Sequence, residues 1–256
     1  MIIDCHCHAG KGDGLTGPWN TDAPLGGYLR RARAAGITIT NLLPAFHTDY
    51  GRANREVAGL VARAPRRFTA FAFVHPVRDA GRVRELLDDA VALGMIGVKV
   101  HRKDARLTRE ICDAARALGL PILYDVVDEI APIELYARQY RDVAFLIPHL
   151  GSFGDAWAAQ LALIDHLARH PNVFTDTAGV RRFDLLVEAV RRAGPDKILF
   201  GSDGPYLHPG VELAKIRALG LPDTAARRVL AANFLRLTRA ARRRARARPA
   251  AQRKAS

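Results

Sequence analysis

The sequence predicts a single-domain α/β protein, a (β/α)8 TIM barrel. Eight short runs rich in β-branched residues alternate with amphipathic stretches along about 235 residues, which matches such a barrel in count and length. The runs are apolar on both faces, as expected of parallel strands covered by helices. A doubly wound open sheet is the alternative, but the glycine-rich loop that follows the first run carries no P-loop pattern. These observations favour the barrel.

Eight strands and six helices are predicted in order. The strands are Met1–Cys7, Ile37–Leu43, Phe68–Val74, Ile96–His101, Ile122–Val126, Val143–Ile147, Val173–Thr175 and Lys197–Phe200. The helices are Leu25–Ala35, Ala53–Arg63, Ala80–Leu93, Thr108–Leu118, Ala156–His170 and Asp184–Arg192. Glycines 36, 94 and 119 stand just past three helix ends, where glycine supplies a left-handed cap. The barrel is predicted over residues 1–237.

Composition bounds the compartment and the partners. Hydrophobic residues make up 49% of the 256 residues, and no apolar run reaches the roughly 18 residues of a membrane span. The first residues lack the basic region of a signal peptide. Three cysteines without a disulfide-framework spacing fit a reducing compartment. We therefore expect a cytoplasmic protein without membrane contact, and its homo-oligomeric state stays open.

Basic residues are concentrated at the C-terminus. The net charge is +13, and residues 236–256 hold nine of the Lys and Arg residues and no acid, which leaves about +4 for the rest. A block of like charges is usually a solvated tail, and it sometimes binds nucleic acid. We predict that residues 238–256 are a disordered tail and that nucleic acid binds, if at all, only there.

Histidines collect at the predicted C-terminal strand ends, where barrel active sites lie. Six of the nine occur at or just past these ends. With the other polar groups there they form the set His6, His8, Asn41, His47, His75, Lys99, His101, Asp125, His149, Thr175, Asp176 and Asp203. His208 follows in the next loop, and only His166 and His170 fall within a predicted helix. This clustering predicts a functional site at that end of the barrel.

Strand alternation assigns the residues of the first strand to two faces. His6 and His8 point one way and Cys5 and Cys7 the other. Two imidazoles at i and i+2 on the interior face can chelate one divalent ion, while the thiols are expected to pack against the helices. A Cys-x-Cys metal site is the alternative, and it requires the cysteines to take the inner face.

Five segments together resemble the amidohydrolase superfamily. They are Asp4-Cys5-His6-Cys7-His8, Gly97-Val98-Lys99-Val100-His101, Ile147-Pro148-His149-Leu150-Gly151, Gly201-Ser202-Asp203-Gly204-Pro205 and Val229-Leu230-Ala231-Ala232-Asn233. The first resembles the superfamily's Asp-x-His-x-His signature and the fourth its Gly-Ser-Asp segment. The resemblance spans residues 1–237 and is closest to the amidohydrolase-related branch, the aminocarboxymuconate semialdehyde decarboxylase-like metal-dependent hydrolases.

The resemblance implies one divalent metal ion with His6, His8 and Asp203 as ligands. Strand five of that branch usually adds a histidine within Pro-x-x-x-His, but here Asp125 stands at this place. A carboxylate also binds Zn²⁺, so Asp125 is predicted as the fourth ligand. Zn²⁺ is the first choice, and two carboxylates also suit Mn²⁺ or Fe²⁺. A lost third ligand and a metal-free site is the alternative.

The chemistry that the resemblance implies is attack by a metal-activated water, whose pKa the ion lowers to roughly 7. Asp203 accepts the proton and passes it to the leaving group. His149 is the second proton-transfer or oxyanion-polarising group. Two-metal members carry a carboxylated lysine on strand four. Lys99 lies one pleat deeper than the strand end, so we predict a single metal, with Lys99 and His101 adding positive charge to the pocket or contacting substrate.

Substrate signals lie in the loops at the predicted mouth. Arg102, Lys103, Arg181 and Arg182 follow strands four and seven and favour a small anionic substrate such as a carboxylate. They are also compatible with solvated loop residues. The glycine-rich loop at residues 10–17 predicts a flap, and His47 and His75 are either second-layer or structural groups.

The function predicted from these observations is hydrolysis of an amide, lactone or related bond in a small carboxylated substrate. The first alternative is a non-oxidative decarboxylase of the same branch, which would use the same residues. The second is a catalytically inactive barrel that acts as a binding protein, with the basic tail on nucleic acid.

Overall fold

A computed structural model describes residues 1–14 and 22–247 of the chain. The strands are β1 Ile3–Ala9, β2 Ile39–Pro44, β3 Phe68–Ala70, β4 Ala72–Phe73, β5 Val98–His101, β6 Ile122–Asp125, β7 Phe145–Ile147, β8 Val173–Asp176 and β9 Ile198–Leu199. The helices are α1 Leu25–Ala35, α2 Tyr50–Arg63, α3 Val83–Ala92, α4 Arg109–Leu118, α5 Ile133–Gln139, α6 Trp157–Arg169, α7 Phe183–Ala193, α8 Pro209–Ala218, α9 Asp223–Arg227, α10 Asn233–Leu237 and α11 Arg239–Ala247. A π-helical turn over Arg228–Ala232 separates α9 from α10.

All the paired strands are parallel and follow one another in sequence order. β3 and β4 are two halves of one barrel strand, interrupted at Phe71. The chain after β9 closes the barrel on β1, because the Cys5 amide donates to the Phe200 carbonyl at 3.0 Å and the His8 amide to the Gly204 carbonyl at 2.5 Å. The protein is a single-domain (β/α)8 barrel, as predicted.

The hydrophobic core lies between the strands and the surrounding helices. Cys5 and Cys7 are completely buried in it as free thiols. Gly36 and Gly119 adopt the predicted left-handed conformation at the ends of α1 and α4. Thr108 caps α4 by accepting a hydrogen bond from the Ile111 amide. No helix among residues 1–14 and 22–247 is long and apolar enough to cross a membrane.

Two elements differ from the prediction. β1 begins and ends two residues later than predicted, so His8 lies within the strand. Helix α5 was not predicted, and its short sequence after Pro132 offers little helical periodicity. The glycine-rich loop predicted as a flap at 10–17 lies partly outside the described residues, which resume at residue 22.

The beginning of the basic tail is helical where the sequence predicts disorder. Helix α11 covers Arg239–Ala247. Alanine and arginine favour helices, and the buried side chain of Ala241 joins the core. A Cβ atom on Gly119, past the end of α4, would lie 3.4 Å from the Ala240 Cβ, so the two helices are close neighbours. Residues 248–256 lie outside the described part of the chain, and the division at residue 237 stays a prediction.

Candidate metal and substrate site

Strand β1 places two imidazoles at the centre of the barrel mouth. His6 is completely buried, and His8 is 6% exposed. Their Nε2 atoms lie 3.5 Å and 3.4 Å, respectively, from Oδ1 of Asp203. The possible ligand atoms of these three residues all lie within 4.8 Å of one another. His6, His8 and Asp203 therefore form a compact candidate metal site, and their role as ligands stays a prediction.

The polypeptide after β9 brings Asp203 to the two histidines through an unusual backbone. Asp203 has a left-handed φ of 53°, a conformation that costs free energy for a residue other than glycine and that is often found at functional sites. Gly201 allows the close approach, because a Cβ atom there would lie 3.0 Å from the Cβ of His6. Close packing against His6 therefore explains the glycine in the Gly-Ser-Asp segment.

Hydrogen bonds fix which nitrogen of each histidine faces Asp203. His6 Nδ1 donates to Oδ2 of Asp176 at 2.8 Å, and His8 Nδ1 donates to the Pro44 carbonyl at 3.3 Å. Both Nε2 lone pairs are then free for a metal ion. His6 Nε2 is buried and has no hydrogen-bond partner among the described residues. An unsatisfied buried imidazole nitrogen beside a carboxylate is what a metal ion would satisfy, so these residues fit a divalent ion.

Asp176 is a site residue to which the sequence analysis gave no role. Its Oδ1 atom accepts hydrogen bonds from the amides of His149 and Ala178 at 3.0 Å and 3.1 Å. Burial alone would raise the pKa of Asp176, but His6 and His149 hold it below its usual value. The position of Asp176 at the end of the seventh barrel strand indicates a site residue, but the sequence does not show that Asp176 contacts His6.

Asp125 contacts a different set of side chains from the candidate metal ligands. Its Oδ2 atom lies 3.2 Å from Nε2 of His101, 3.4 Å from Nε2 of His149 and 3.9 Å from Nζ of Lys99. The register of β5 and β6 pairs His101 with Asp125. Burial alone would raise the pKa of Asp125, but His101, His149 and Lys99 hold it well below its usual value. The ligand role of Asp125 stays a prediction.

His149 lies between the two carboxylate clusters. Its Nδ1 atom donates to the Ala178 carbonyl at 2.8 Å, which leaves Nε2 facing Asp125. Burial alone would lower the pKa of His149, but Asp125, followed by Asp203 and Asp176, raises it to about 9. This rise favours the protonated form of His149, which can donate a hydrogen bond or a proton. Its backbone is also left-handed, with a φ of 59°.

Lys99 and His101 differ in their access to substrate. His101 lines the cavity at the barrel mouth and has its ring 4.9 Å from that of Phe46. Lys99 is completely buried, and its Nζ atom has no hydrogen-bond partner among the described residues. Burial lowers the pKa of Lys99. The structure thus places Lys99 behind Asp125, away from the described cavity wall.

The cavity at the mouth has a volume of about 240 Å³. Its described lining consists of His8, Phe46, His101, Lys103, Asp125, Val127, Asp128, His149, Phe153, Gly154, Asp203 and Tyr206. The volume lies below the roughly 300–1,000 Å³ of sites for drug-sized ligands, so it suits a small molecule. Rings and imidazoles cover the wall around the candidate metal ligands.

Of the four basic residues predicted at the mouth, Lys103 alone belongs to the described lining of the cavity. Arg102 pairs with Glu129 at 2.5 Å, Arg181 with Asp155, and Arg182 with Asp184 at 2.7 Å. These three arginines are engaged by neighbouring acids, in agreement with the alternative reading of them as loop residues.

His47 and His75, predicted as second-layer or structural groups, lie at turns. His47 Nδ1 accepts a hydrogen bond from the Asp49 amide at 2.8 Å. His75 Nδ1 accepts hydrogen bonds from the amides of Val77 and Arg78 at 3.2 Å and 3.1 Å. Neither residue lines the cavity as described, so these contacts fit a structural role.

The family follows from a comparison with known sequences. A model of the amidohydrolase family matches residues 3–244, nearly the whole chain. The chain belongs to the amidohydrolase family. A comparison with curated proteins finds no match. The amidohydrolase assignment confirms the resemblance drawn from the five sequence segments.

Solved structures share the fold of this amidohydrolase at low sequence identity. A 2,6-dihydroxybenzoate decarboxylase in complex with 2,6-dihydroxybenzoate is 17% identical with a TM-score of 0.68, and the alignment covers 93% of this chain and 100% of that one. A putative 2-pyrone-4,6-dicarboxylic acid hydrolase from Pseudomonas putida is 18% identical with a TM-score of 0.71, covering 93% and 97%. A dihydroxybenzoic acid decarboxylase from a Polaromonas species, with bound manganese and 2-nitroresorcinol, is 17% identical with a TM-score of 0.67, covering 93% and 96%.

Proposed function

We propose that this amidohydrolase-family chain is a metal-dependent hydrolase acting on an amide, lactone or related bond of a small carboxylated substrate. The observation that carries the proposal is the convergence of His6 Nε2 and His8 Nε2 on one oxygen of Asp203. His6 Nε2 is buried beside that carboxylate without a hydrogen-bond partner among the described residues. Family membership supports the same chemistry.

His6, His8 and Asp203 would hold the ion, and Asp125 is proposed as a further ligand. Two imidazoles and a carboxylate suit Zn²⁺, and additional carboxylates suit Mn²⁺ or Fe²⁺. A divalent ion bound there supplies Lewis-acid chemistry for activating water and for polarising a substrate oxygen. The manganese in the Polaromonas enzyme is a property of that protein. It supports our proposal that a metal ion binds in this pocket, but it does not select the metal.

Asp203 and His149 would carry the proton transfers. Burial alone would raise the pKa of Asp203, but His8 and His6 lower it to about 2. The carboxylate is therefore ionised at neutral pH and can accept a proton from water and return it to the leaving group. Protonated His149 would donate a hydrogen bond to the substrate oxygen on which negative charge develops.

Basic groups in the pocket favour an anionic substrate. Lys103 lines the cavity and would bind a carboxylate through a charge-assisted hydrogen bond, and His101 is proposed as a further substrate contact. Lys99 would act from behind Asp125 by adding positive charge. The rings of Phe46, Phe153 and Tyr206 leave apolar walls for the rest of a small molecule.

Decarboxylation is the second candidate, and the position of His149 favours it. Loss of CO₂ leaves an electron pair on carbon that must take up a proton, and His149 is a protonated donor in the cavity wall. The aromatic walls also suit a hydroxybenzoate, the ligand of one structural neighbour.

The cytoplasm is the proposed compartment, since Cys5, Cys7 and Cys112 are free thiols.

Metal analysis tests the proposal. Purified full-length protein, the His8→Ala variant and the Asp125→His variant would be compared by elemental analysis after exposure to Zn²⁺ or Mn²⁺ and removal of free ion. We expect metal in the pocket of the wild-type protein, at least as much in Asp125→His, and its loss in His8→Ala. Metal per chain that is no higher in wild-type protein and in Asp125→His than in His8→Ala would refute the metal-dependent mechanism.

A substrate panel separates the two reactions. Lactone and amide carboxylates and dihydroxybenzoates would be incubated with the metal-loaded protein in ¹⁸O-labelled water. Hydrolysis places ¹⁸O in the product, whereas decarboxylation releases CO₂ and leaves the product without the label. A metal-loaded protein that turns over no member of either class, and whose DNA binding depends steeply on salt, would support the binding-protein alternative instead.

A further inference from the structure

A second cluster of metal-ligand side chains lies on the opposite face of the barrel from the mouth. His166 is in the last turn of α6, and His170 follows directly after this helix. Glu134 is in the first turn of α5. Because His170 comes just before β8, the cluster lies at the N-terminal ends of the strands. It therefore lies apart from His6, His8 and Asp203.

The geometry of the cluster centres on one carboxylate oxygen. Oε2 of Glu134 lies 2.9 Å from Nε2 of His170 and 3.4 Å from Nδ1 of His166. The possible ligand atoms of the three residues all lie within 4.8 Å of one another. Residues at i and i+4 share a helix face, which brings the two imidazoles together. Their ring centroids are 5.5 Å apart.

His166 supplies a buried nitrogen that makes no hydrogen bond to the described residues. The His166 side chain is only 9% exposed, and its Nδ1 atom has no hydrogen-bond partner there. The contact with Glu134 does not meet hydrogen-bond geometry. Buried polar atoms are nearly always satisfied, so an unsatisfied nitrogen directed at a carboxylate indicates a missing partner.

Neighbouring arginines hold the carboxylate in place. Arg138 Nε contacts Oε1 of Glu134 at 2.6 Å, and Arg169 lies 3.6 Å from Oε2. The shorter pair engages the oxygen that faces away from the imidazoles, as second-layer groups do in metal sites. Oε2 stays directed at both histidines.

We propose that Glu134, His166 and His170 form a second Zn²⁺ site. Two imidazoles and one carboxylate are a common zinc ligand set, and water would complete the tetrahedral coordination. The ion would join α5 to the end of α6. It would satisfy His166 Nδ1 and stabilise the folded state by mass action.

Zinc stoichiometry and thermal stability test the second site. Full-length wild-type protein, His166→Gln, His8→Ala and the double variant would be equilibrated with Zn²⁺, freed of excess ion and analysed for zinc per chain. His208→Gln is the matched control, because His208 lies outside both clusters. We expect one fewer zinc per chain in His166→Gln than in wild type and in His208→Gln. The double variant should lose one more zinc than His8→Ala alone.

The change in Tm on adding Zn²⁺ reports on the second site alone, because both variants compared carry His8→Ala. Added Zn²⁺ should raise the Tm of His8→Ala, and the double variant should not respond. Glu134→Gln, a substitution of nearly the same size on a partly exposed residue, repeats the comparison if His166→Gln folds poorly. Unchanged zinc stoichiometry in both His166→Gln and Glu134→Gln would overturn the proposal of a second site. This result would not bear on the pocket metal, which His8→Ala tests.

Discussion

At the scale of single residues, Asp176 determines which nitrogen of His6 faces the pocket. Two backbone amides, those of His149 and Ala178, donate to its Oδ1 atom, and His6 Nδ1 donates to Oδ2. A histidine that donates from Nδ1 keeps the lone pair of Nε2 for a metal ion. One buried carboxylate therefore orients both a candidate ligand and the loop that carries His149.

Asp176→Asn should abolish this orientation with almost no change in volume. The two amides require the side-chain oxygen, so the amide NH₂ group would face His6 Nδ1 and force the proton onto Nε2. We expect pocket metal affinity to fall about 10–100-fold or more, as for other second-layer partners. Calorimetric titration with Zn²⁺ measures it, and Asp184→Asn at the surface is the control. Unchanged affinity would contradict the tautomer argument.

His149→Gln tests the proton-donor role separately from metal binding. The variant removes the protonated imidazole, while His6, His8 and Asp203 remain in place. We expect kcat to fall about 10²–10⁴-fold on whichever substrate the panel identifies, because a general acid contributes about that much. Pocket metal content should be unchanged. A variant that loses its metal with its activity would instead identify His149 as a ligand.

At the scale of elements, Asn54 attaches α2 to the barrel. Its side chain accepts from the Phe73 amide at 2.8 Å and donates to the Phe73 carbonyl at 3.0 Å. These two groups belong to β4, next to the interruption of the third barrel strand at Phe71. Asn54 thus supplies hydrogen bonds that neighbouring strands do not provide there.

Asn54→Ala should lower the free energy of unfolding by about 2–4 kcal/mol. The substitution leaves a buried amide and a buried carbonyl unsatisfied, and each such group costs about 1–3 kcal/mol. Urea unfolding followed by circular dichroism measures the loss. Arg52→Ala, an exposed position on the same helix, should change stability by less than about 0.5 kcal/mol. Equal effects of the two substitutions would argue against the proposed role of Asn54.

At the scale of the whole molecule, Asp4 holds the first and last barrel strands together. Its carboxylate accepts hydrogen bonds from the Ser202 amide at 2.9 Å, the Ser202 hydroxyl at 2.5 Å, the Tyr28 hydroxyl at 2.7 Å and the His6 amide at 3.1 Å. Asp4 is completely buried. The first residue of the Asp-x-His-x-His pattern is thus a barrel-closing residue, next to the candidate ligands.

Asp4→Ala should destabilise the protein by about 3–5 kcal/mol, since it leaves several buried donors without an acceptor. Tyr28→Phe, which removes one of the four donors, should cost only about 1 kcal/mol. Guanidinium unfolding of both variants makes the comparison. A loss for Asp4→Ala no larger than that for Tyr28→Phe would show that barrel closure does not depend on this carboxylate.

Much of the site could be predicted from its sequence positions. His6, His8 and Asp203 lie at the ends of recognisable strands, and parallel strands of a barrel bring those ends together. The partners of Asp125 could not be predicted. They depend on the register between β5 and β6 and on the rotamers of His101 and His149. The arginines near the mouth also needed the structure, because the acids that engage Arg102 and Arg181 lie more than 20 residues away in sequence.

The sequence by itself determined the barrel, the family and the gathering of histidines at one end, because each depends on local periodicity and on a fixed topology. The tertiary structure decided the pairing of His6 with Asp176, 170 residues away, and the contact of Asp125 with His101 and His149. It also brought Glu134 to His166 and His170 on the opposite face. Hydrogen bonds act over about 3 Å and metal coordination over about 2 Å, and only the folded backbone sets such distances between remote residues.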